Sequence, residues 1–436
     1  MNHKNIAEQI FLAGVQSVKP DKLIHDYLSL TGSLLKIGNN KYPLDEINRV
    51  FVIGAGKATA EMARITEEIL GDRITSGHIV VKYGHTSPLK YIGFTEAGHP
   101  VPDENGFSGT RKILDIALEA SENDLVICLL SGGGSALLTD YPETSSPGDV
   151  SRINDLLVKS GATIHEMNAI RKHLSKVKGG GLARAIFPAE AVSLIISDVP
   201  GDPLDVIASG PTVPDPSTFK EALTIIEKYN ISSVPGSLID HLQKGAKGQV
   251  PETPKPGDPI FSKSANILLG NNKMALEAGA EKAAGLGLES IIVDDDLHGD
   301  SRLAAKYIVE KALSYRKQKK NENPLCLLFG GETTLKVTGT GLGGRNQHLA
   351  LSAAVLIKDT PGITILSAGT DGNDGPTDAA GAVVDSGTMR AALSLDIDPQ
   401  KYLDRFDSYN FFKSAGGQII TGPTLTNVMD IVVAIV

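Results

Sequence analysis

Short apolar runs alternate along this chain with longer stretches of helical spacing. Ile6, Ile10, Phe11, Val15 and Val18 recur at that spacing and predict an amphipathic helix over 5–19. Apolar runs predict strands at Val50–Ile53, His78–Val81, Leu125–Leu130, Ala191–Ile196, Ile267–Leu269, Ser290–Val293, Leu325–Phe329 and Ile363–Leu366. Between them, helices are predicted over 57–70, 107–120, 149–160, 217–229, 272–285 and 300–318. Alternation of this kind implies βαβ units and a mostly parallel, covered sheet, an α/β fold. Leu335–Thr338, Ala382–Val384, Gln418–Thr421 and Asp430–Val436 read as extra strands, which makes the sheet of the C-terminal half mixed.

A length of 436 residues suggests two or three domains. Residues 245–259 hold four prolines and three glycines, which cannot continue a helix or a central strand. A linker is expected there, with domains at 1–245 and 246–436. A second break at 319–324 reads as a surface loop. The net charge of −9 argues against binding a nucleic-acid backbone, and the absence of Trp argues against a stacking platform for single strands. Cys128 and Cys326 both lie in apolar runs, so neither a disulfide scaffold nor a cysteine zinc site is expected. The mixed, charged start shows no secretory signal, and no run approaches the roughly 18 apolar residues that span a bilayer. The expectation is a soluble, cytoplasmic protein with no membrane partner.

The candidate chemistry lies in glycine-rich loops that follow apolar strands. Val52-Ile-Gly-Ala-Gly-Lys-Ala-Thr-Ala60 fails the dinucleotide fingerprint, because Thr59 holds the third glycine position and the next strand ends in Lys82 and Tyr83 rather than an acid. It also fails the P-loop pattern at Phe51 and Ala58. What remains is Gly54, Gly56 and Lys57 at the opening of a helix, where amides and the helix dipole favour an anion. In Leu129-Leu-Ser-Gly-Gly-Gly-Ser-Ala-Leu137, the backbone of Gly132, Gly133 and Gly134 can wrap a phosphate or carboxylate, and Ser131 and Ser135 add hydroxyls. The stretch His165–Leu182 brings Arg171, Lys172, His173, Lys176 and Lys178 together as a local positive field suited to polyphosphate. Asp198 and Asp202 follow the strand at 191–196 and could hold Mg²⁺ or take a proton.

In the C-terminal half, Glu332 stands at a strand end and a glycine-dense loop, 339–347, delivers Arg345, Asn346 and Gln347. A guanidinium fork suits carboxylate or phosphate recognition. Asp371, Asp374 and Asp378 sit in a loop that superficially resembles a calcium loop but lacks the EF-hand order, so any metal there reads as Mg²⁺ carried by a nucleotide. Anion cradles, a lysine, an arginine and several acids on strand ends fit phosphoryl transfer. Ligands of open α/β sheets bind outside the carboxyl ends of strands, so an active site in a cleft between the two domains is expected.

Several ordered blocks together carry a family resemblance: 52–60, Gly98-His-Pro-Val-Pro-Asp103, 131–138, 168–182, 197–211, 330–347, 368–380 and Thr421-Gly-Pro-Thr-Leu-Thr-Asn427. They are similar to the class II glycerate 2-kinase family, whose C-terminal half is the MOFRL domain. The resemblance implies an N-terminal Rossmann-like domain, a C-terminal mixed-sheet domain, and ATP- and Mg²⁺-dependent phosphorylation of D-glycerate at its 2-hydroxyl. It points to Lys57 and Arg345 as key residues. Asp198 joins them as a catalytic candidate; Gly54, Gly56, the 131–135 loop, Lys176 and Asn346 are candidates for binding phosphate, nucleotide or substrate; Glu332 and Asp371 are candidates for Mg²⁺. The chain departs from the family at His348, where a small or acidic residue is common, and at Leu425, where glycine is frequent. The alternatives are an NAD(P)H-dependent hydroxypyruvate reductase, which needs a nicotinamide site, and a non-catalytic sensor of sugar acids or nucleotides. Sequence leaves the oligomeric state open.

Overall fold

The computed structural model describes residues 2–319 and 323–436. Residues 320–322 of the break at 319–324 lie outside the described residues. The chain divides into two compact units, Leu23–Leu269 and a second built from residues up to Lys22 together with Gly270–Val436.

The first unit opens with a small antiparallel sheet, β1 (Leu28–Thr31), β2 (Leu34–Ile37) and β3 (Asn40–Pro43). Its main sheet uses β4 (Val50–Ala55), β5 (Ile74–Lys82), β6 (Gly93–Ala97), β7 (Leu125–Leu130), β8 (Glu190–Ile196) and β9 (Ser264–Gly270), in the order β6-β5-β4-β7-β8-β9. β4 pairs in parallel with β5 and β7, β5 with β6, and β7 with β8. Every residue of β4 and β7 is buried, as continuous apolar runs in a doubly covered parallel sheet should be. The chain runs outward from β4 through β5 and β6, then returns to the other side for β7 and β8. That reversal leaves a switch point between the carboxyl ends of β4 and β7, where open α/β sheets bind ligands.

The second unit uses β10 (Glu289–Asp300), β11 (Leu325–Thr334), β12 (Thr364–Gly369), β13 (Gly381–Asp385), β14 (Gln418–Ile419) and β15 (Asp430–Ile435). Their order is β10-β11-β15-β12-β13-β14; β10 and β11 are parallel, and the remaining pairs are antiparallel. The expected mixed sheet is therefore present. Leu335–Thr338 is not part of it: β11 ends at Thr334, and the following glycines pack against Arg405 and Asp407.

The division differs from the boundary expected at 245/246 in two respects. The helix His3–Ser17 forms as its periodicity predicts, but it packs on the second unit. Gly14 comes so close to the helix Asn272–Gly285 that a Cβ would stand 2.8 Å from the Ala275 carbonyl oxygen, and Lys4 pairs with Asp385 at 3.1 Å. The proline-rich 245–259 segment is not a linker but a strap packed on the first unit. The Asp215 N–H donates to the Pro254 carbonyl at 2.9 Å, Thr253 Oγ1 donates to Asp215 at 2.9 Å, and Arg184 donates to the Glu252 carbonyl at 2.6 Å. Proline lacks a donor but keeps its acceptor, so such a strap satisfies its neighbours without joining a ladder.

Candidate active site

Two loops meet at the switch point of the first sheet. The Lys57 N–H donates to the Gly132 carbonyl at 2.8 Å, and the Ala58 N–H donates to Ser131 Oγ at 3.1 Å. Gly56 adopts φ +146°, and a Cβ there would lie 2.1 Å from Ser131 Oγ, so this crossing requires glycine. A Cβ on Gly54 would strike the Leu129 carbonyl oxygen at 2.1 Å. These glycines therefore serve loop-on-loop packing first.

That geometry corrects the reading of Ser131. Its side chain is buried, takes the Ala58 amide and pairs with Thr59 Oγ1 at 3.0 Å. Ser135 Oγ likewise pairs with Ser209 Oγ at 2.9 Å, and Ser209 Oγ donates to Asn168 at 3.3 Å. Both hydroxyls build the loop rather than line a cradle. The Gly134 N–H is also committed, to the Ser131 carbonyl at 3.2 Å. Among the described residues, the amides of Gly132 and Gly133 donate to no protein atom. Gly133 has φ +82°, and the two amides remain as the anion nest.

His99 lies beside that nest. A Cβ on Gly133 would meet His99 Nε2 at 3.0 Å and Lys57 Cγ at 3.4 Å, so both side chains pass the same point. His85 Nδ1 contacts the Lys57 carbonyl at 3.2 Å. Burial, reinforced by Lys57, Lys82 and His85, lowers the His99 pKa to about 4. His99 is thus a neutral ring within a cationic cluster at physiological pH. Residues 98–103 carry part of the family resemblance, but a histidine between glycine and proline has no spacing signal of its own. Asp198 is half-buried just past the end of β8.

The basic stretch does not form one field. Its helix ends at His173, so Ser175, Lys176 and Lys178 leave the helical face. Lys172 is buried against Asp205 at 3.2 Å and Asp215 at 3.3 Å. Lys176 turns outward to Glu143 at 2.6 Å. Lys178 instead is buried, and its Nζ donates to the carbonyls of Ser135 at 2.8 Å and Leu138 at 2.5 Å. It supports the short helix Gly134–Leu137 from beneath, and burial lowers its pKa to about 8.

In the second unit, Arg345 is not on a loop but opens the helix Arg345–Leu356. Its Nε and Nη2 donate to both oxygens of Asp430, at 2.6 and 2.9 Å, and Nη1 pairs with Glu332 at 2.8 Å. These carboxylates hold the guanidinium protonated. Arginine carries five N–H donors, so the three engaged here leave two N–H groups for a ligand. The side chain of Asn346 is spent internally: Ser367 Oγ donates to its Oδ1 at 2.6 Å, and its backbone N–H goes to Asp374 at 3.0 Å. The acids of 371–378 diverge: Asp374 caps this helix, Asp378 accepts from Tyr409 at 2.8 Å, and Asp371 accepts from the Asn373 N–H at 3.1 Å. Among the described residues, no cluster of three or more His, Cys, Asp or Glu could hold a metal ion. Asp371 and Asp430 do converge, each with an Oδ1 within 3.4 Å of where a Cβ on Gly369 would lie. His348 faces inward, accepting from Arg302 at 2.9 Å and stacking on Phe406, and has no part in this cluster. Both cysteines are buried, with thiol pKa values pushed up to about 12.

Two predictions arise here. Asp374 is buried, which raises its pKa to about 6 despite four donors around it, the N–H and side-chain amides of Asn346 and Gln347. Asp374→Asn turns one acceptor into a donor that faces two donors. It is expected to cost about 1–3 kcal/mol in urea unfolding. An unchanged midpoint would show the cap to be dispensable. Leu425 sits at φ +64° with its side chain 39% exposed. Leu425→Gly is expected to relieve about 1 kcal/mol of left-handed strain and hold or raise Tm; a clear drop would show that the leucine side chain packs usefully.

Residues 6–243 match a family described only as a domain of unknown function (DUF4147), and residues 325–430 match the MOFRL family. The chain is thus a DUF4147–MOFRL protein, two α/β domains with an anion nest on the first sheet. D-glycerate 2-kinase of Thermotoga maritima is 40% identical over 436 residues, covering 99% of this chain and 98% of that one. Glycerate 2-kinase of Pyrococcus horikoshii is 41% identical over 440 residues, covering 100% and 98%. The chain belongs to the glycerate 2-kinase family with a MOFRL domain. A solved glycerate kinase structure from Thermotoga maritima superposes with a TM-score of 0.86 at 39% identity, covering 99% of both chains. A relative in Agrobacterium vitis, 43% identical over 395 residues, covering 90% of this chain and 88% of that one, carries the name hydroxypyruvate reductase, an assignment its own name marks as unproven. No helix among the described residues is long and apolar enough to cross a membrane.

Proposed function

We propose that this protein is an ATP-dependent glycerate 2-kinase, which transfers the γ-phosphoryl group of MgATP to the 2-hydroxyl of D-glycerate and releases ADP and 2-phosphoglycerate. The observation that carries the reading is the meeting of Lys57, the open amides of Gly132 and Gly133, and neutral His99 at the β4/β7 switch point. That cluster offers one cationic and several neutral donors to a phosphoryl group or a carboxylate. In such reactions the protein mainly positions groups and balances charge. Lys57 stabilises the equatorial oxygens or the substrate carboxylate. Asp198 is the proposed acceptor of the hydroxyl proton. Arg345 supplies the second cation through its two remaining N–H groups. Mg²⁺ carried by the nucleotide would need only one or two carboxylates, which Glu332 and Asp371 would supply.

The reductase reading is disfavoured by the same loop. Thr59 occupies the glycine position of the dinucleotide fingerprint and is tied to Ser131, and β5 ends in Lys82 where a ribose-binding acid would stand. The purified protein, given MgATP and D-glycerate, is expected to release ADP and a product that enolase consumes directly. Absence of ADP release, or 3-phosphoglycerate as product, would overturn the proposal. NAD(P)H oxidation with hydroxypyruvate would favour the reductase.

A further inference from the structure

A cavity of about 560 Å³ lies within the first domain, lined by the helices Glu104–Glu119 and Gly181–Ile186, the end of Ile164–His173 and the 245–259 strap. This volume falls in the range of small-molecule sites. Leu114, Leu118 and Phe219, with Val250, Pro251 and Pro254 of the strap, give it an apolar wall. Leu118 is 64% exposed, a large apolar side chain left facing open space. The charged groups are mostly cationic. Arg184 and Lys244 both line the cavity. Arg184 donates only to the Glu252 carbonyl, and among the described residues neither cation has a carboxylate partner. Lys176 also lines it, paired with Glu143, whose side chain is 84% exposed. Such a surface pair is weak and easily exchanged.

Arg184 and Lys244 are exposed and stand beside an apolar wall in a chain of net charge −9. They match a ligand with a negative head and an apolar body: the head answers Arg184 and Lys244, and the body displaces water from the leucine and proline wall. We propose that this cavity is a second small-molecule site that binds an organic anion with an aromatic or branched aliphatic body. Neither glycerate, which has no apolar body, nor any residue of the β4/β7 nest is involved.

The test uses the full chain and 1-anilinonaphthalene-8-sulfonate, an apolar anion whose fluorescence rises on desolvation. One saturable site is expected. Arg184→Glu with Lys244→Glu should weaken it at least about tenfold by reversing both charges. Ala185→Trp, which fills the cavity from the helix Gly181–Ile186, should abolish it. N-phenyl-1-naphthylamine, the same body without the sulfonate, should bind at least about tenfold more weakly and ignore the charge reversal. Circular dichroism of each variant confirms that it has folded. Three results would overturn the proposal: equal affinity in the parent and both variants; displacement of the probe by saturating MgATP and D-glycerate, which would make the cavity part of the nest; or a dimer by light scattering that Leu118→Asp converts to monomer, which would assign the wall to a second copy of the chain. The outcome does not depend on whether the protein phosphorylates glycerate.

Discussion

Lys57→Ala is expected to lower kcat for D-glycerate phosphorylation at least about a hundredfold, the scale on which removal of a preorganised charge-stabilising group acts. The loss should fall on kcat more than on KM if the ammonium meets charge that develops during transfer. Folding should be spared, because the loop is held by its backbone: Lys57 N–H to Gly132 O, and Ala58 N–H to Ser131 Oγ. Lys57→Arg tests shape against charge. The side chain passes His99 and Gly133 closely, so a planar fork should recover little activity. Unchanged kinetics in Lys57→Ala with native circular dichroism would remove Lys57 from the mechanism.

Arg345→Ala is expected to do two things at once. Activity should again fall at least about a hundredfold if the guanidinium balances transferred charge. Stability should fall as well, because Asp430, only 4% exposed at its side chain, would lose its bidentate partner. Breaking one side of a buried pair costs about 3 kcal/mol, at the low end because the arginine side chain itself is about one-third exposed. Arg345→Lys separates the effects: one N–O contact to Asp430 survives and much of the stability should return, while activity stays low because a compact ammonium cannot span Asp430, Glu332 and a ligand at once as the planar fork does. Full activity in Arg345→Lys would show that a positive charge suffices there and that the geometry of the fork is not used. Paired measurement of the urea midpoint and kcat distinguishes these outcomes.

The main strands of both sheets could be read directly from the chain. β4 and β7 are unbroken apolar runs and β8 and β12 are interrupted only by small or terminal polar residues, because each strand is buried along nearly its whole length, and that burial leaves its mark in composition. Asn272–Gly285 falls on its predicted bounds because Asn271 caps its start. The hairpin sheet β1–β3 escaped notice because its strands are four residues long and half exposed, with no continuous apolar run. The opening helix showed which face is apolar but not what would cover it. Its choice of the second unit depends on the close passage at Gly14, a contact with residues more than 250 positions away.

For the site, glycine and charge beside apolar runs pointed to loops that could hold an anion, with Lys57 and Arg345 among their cations, and the family resemblance singled those two out. Residue types could not say which polar groups are already spent. Ser131, Ser135 and Asn346 carry the same donors whether they face a ligand or a neighbour; only the tertiary partners Ala58, Ser209, Asp374 and Ser367 settle it. The places of His99, quoted only within a family block, and of Lys178, counted only as part of a basic stretch, escaped for the converse reason: burial and distant loops, not local pattern, bring one beside the nest and the other beneath it. Hydrophobic spacing is a local property and sequence determines it; satisfaction of a polar atom is a property of three-dimensional neighbours, and only the fold decides it.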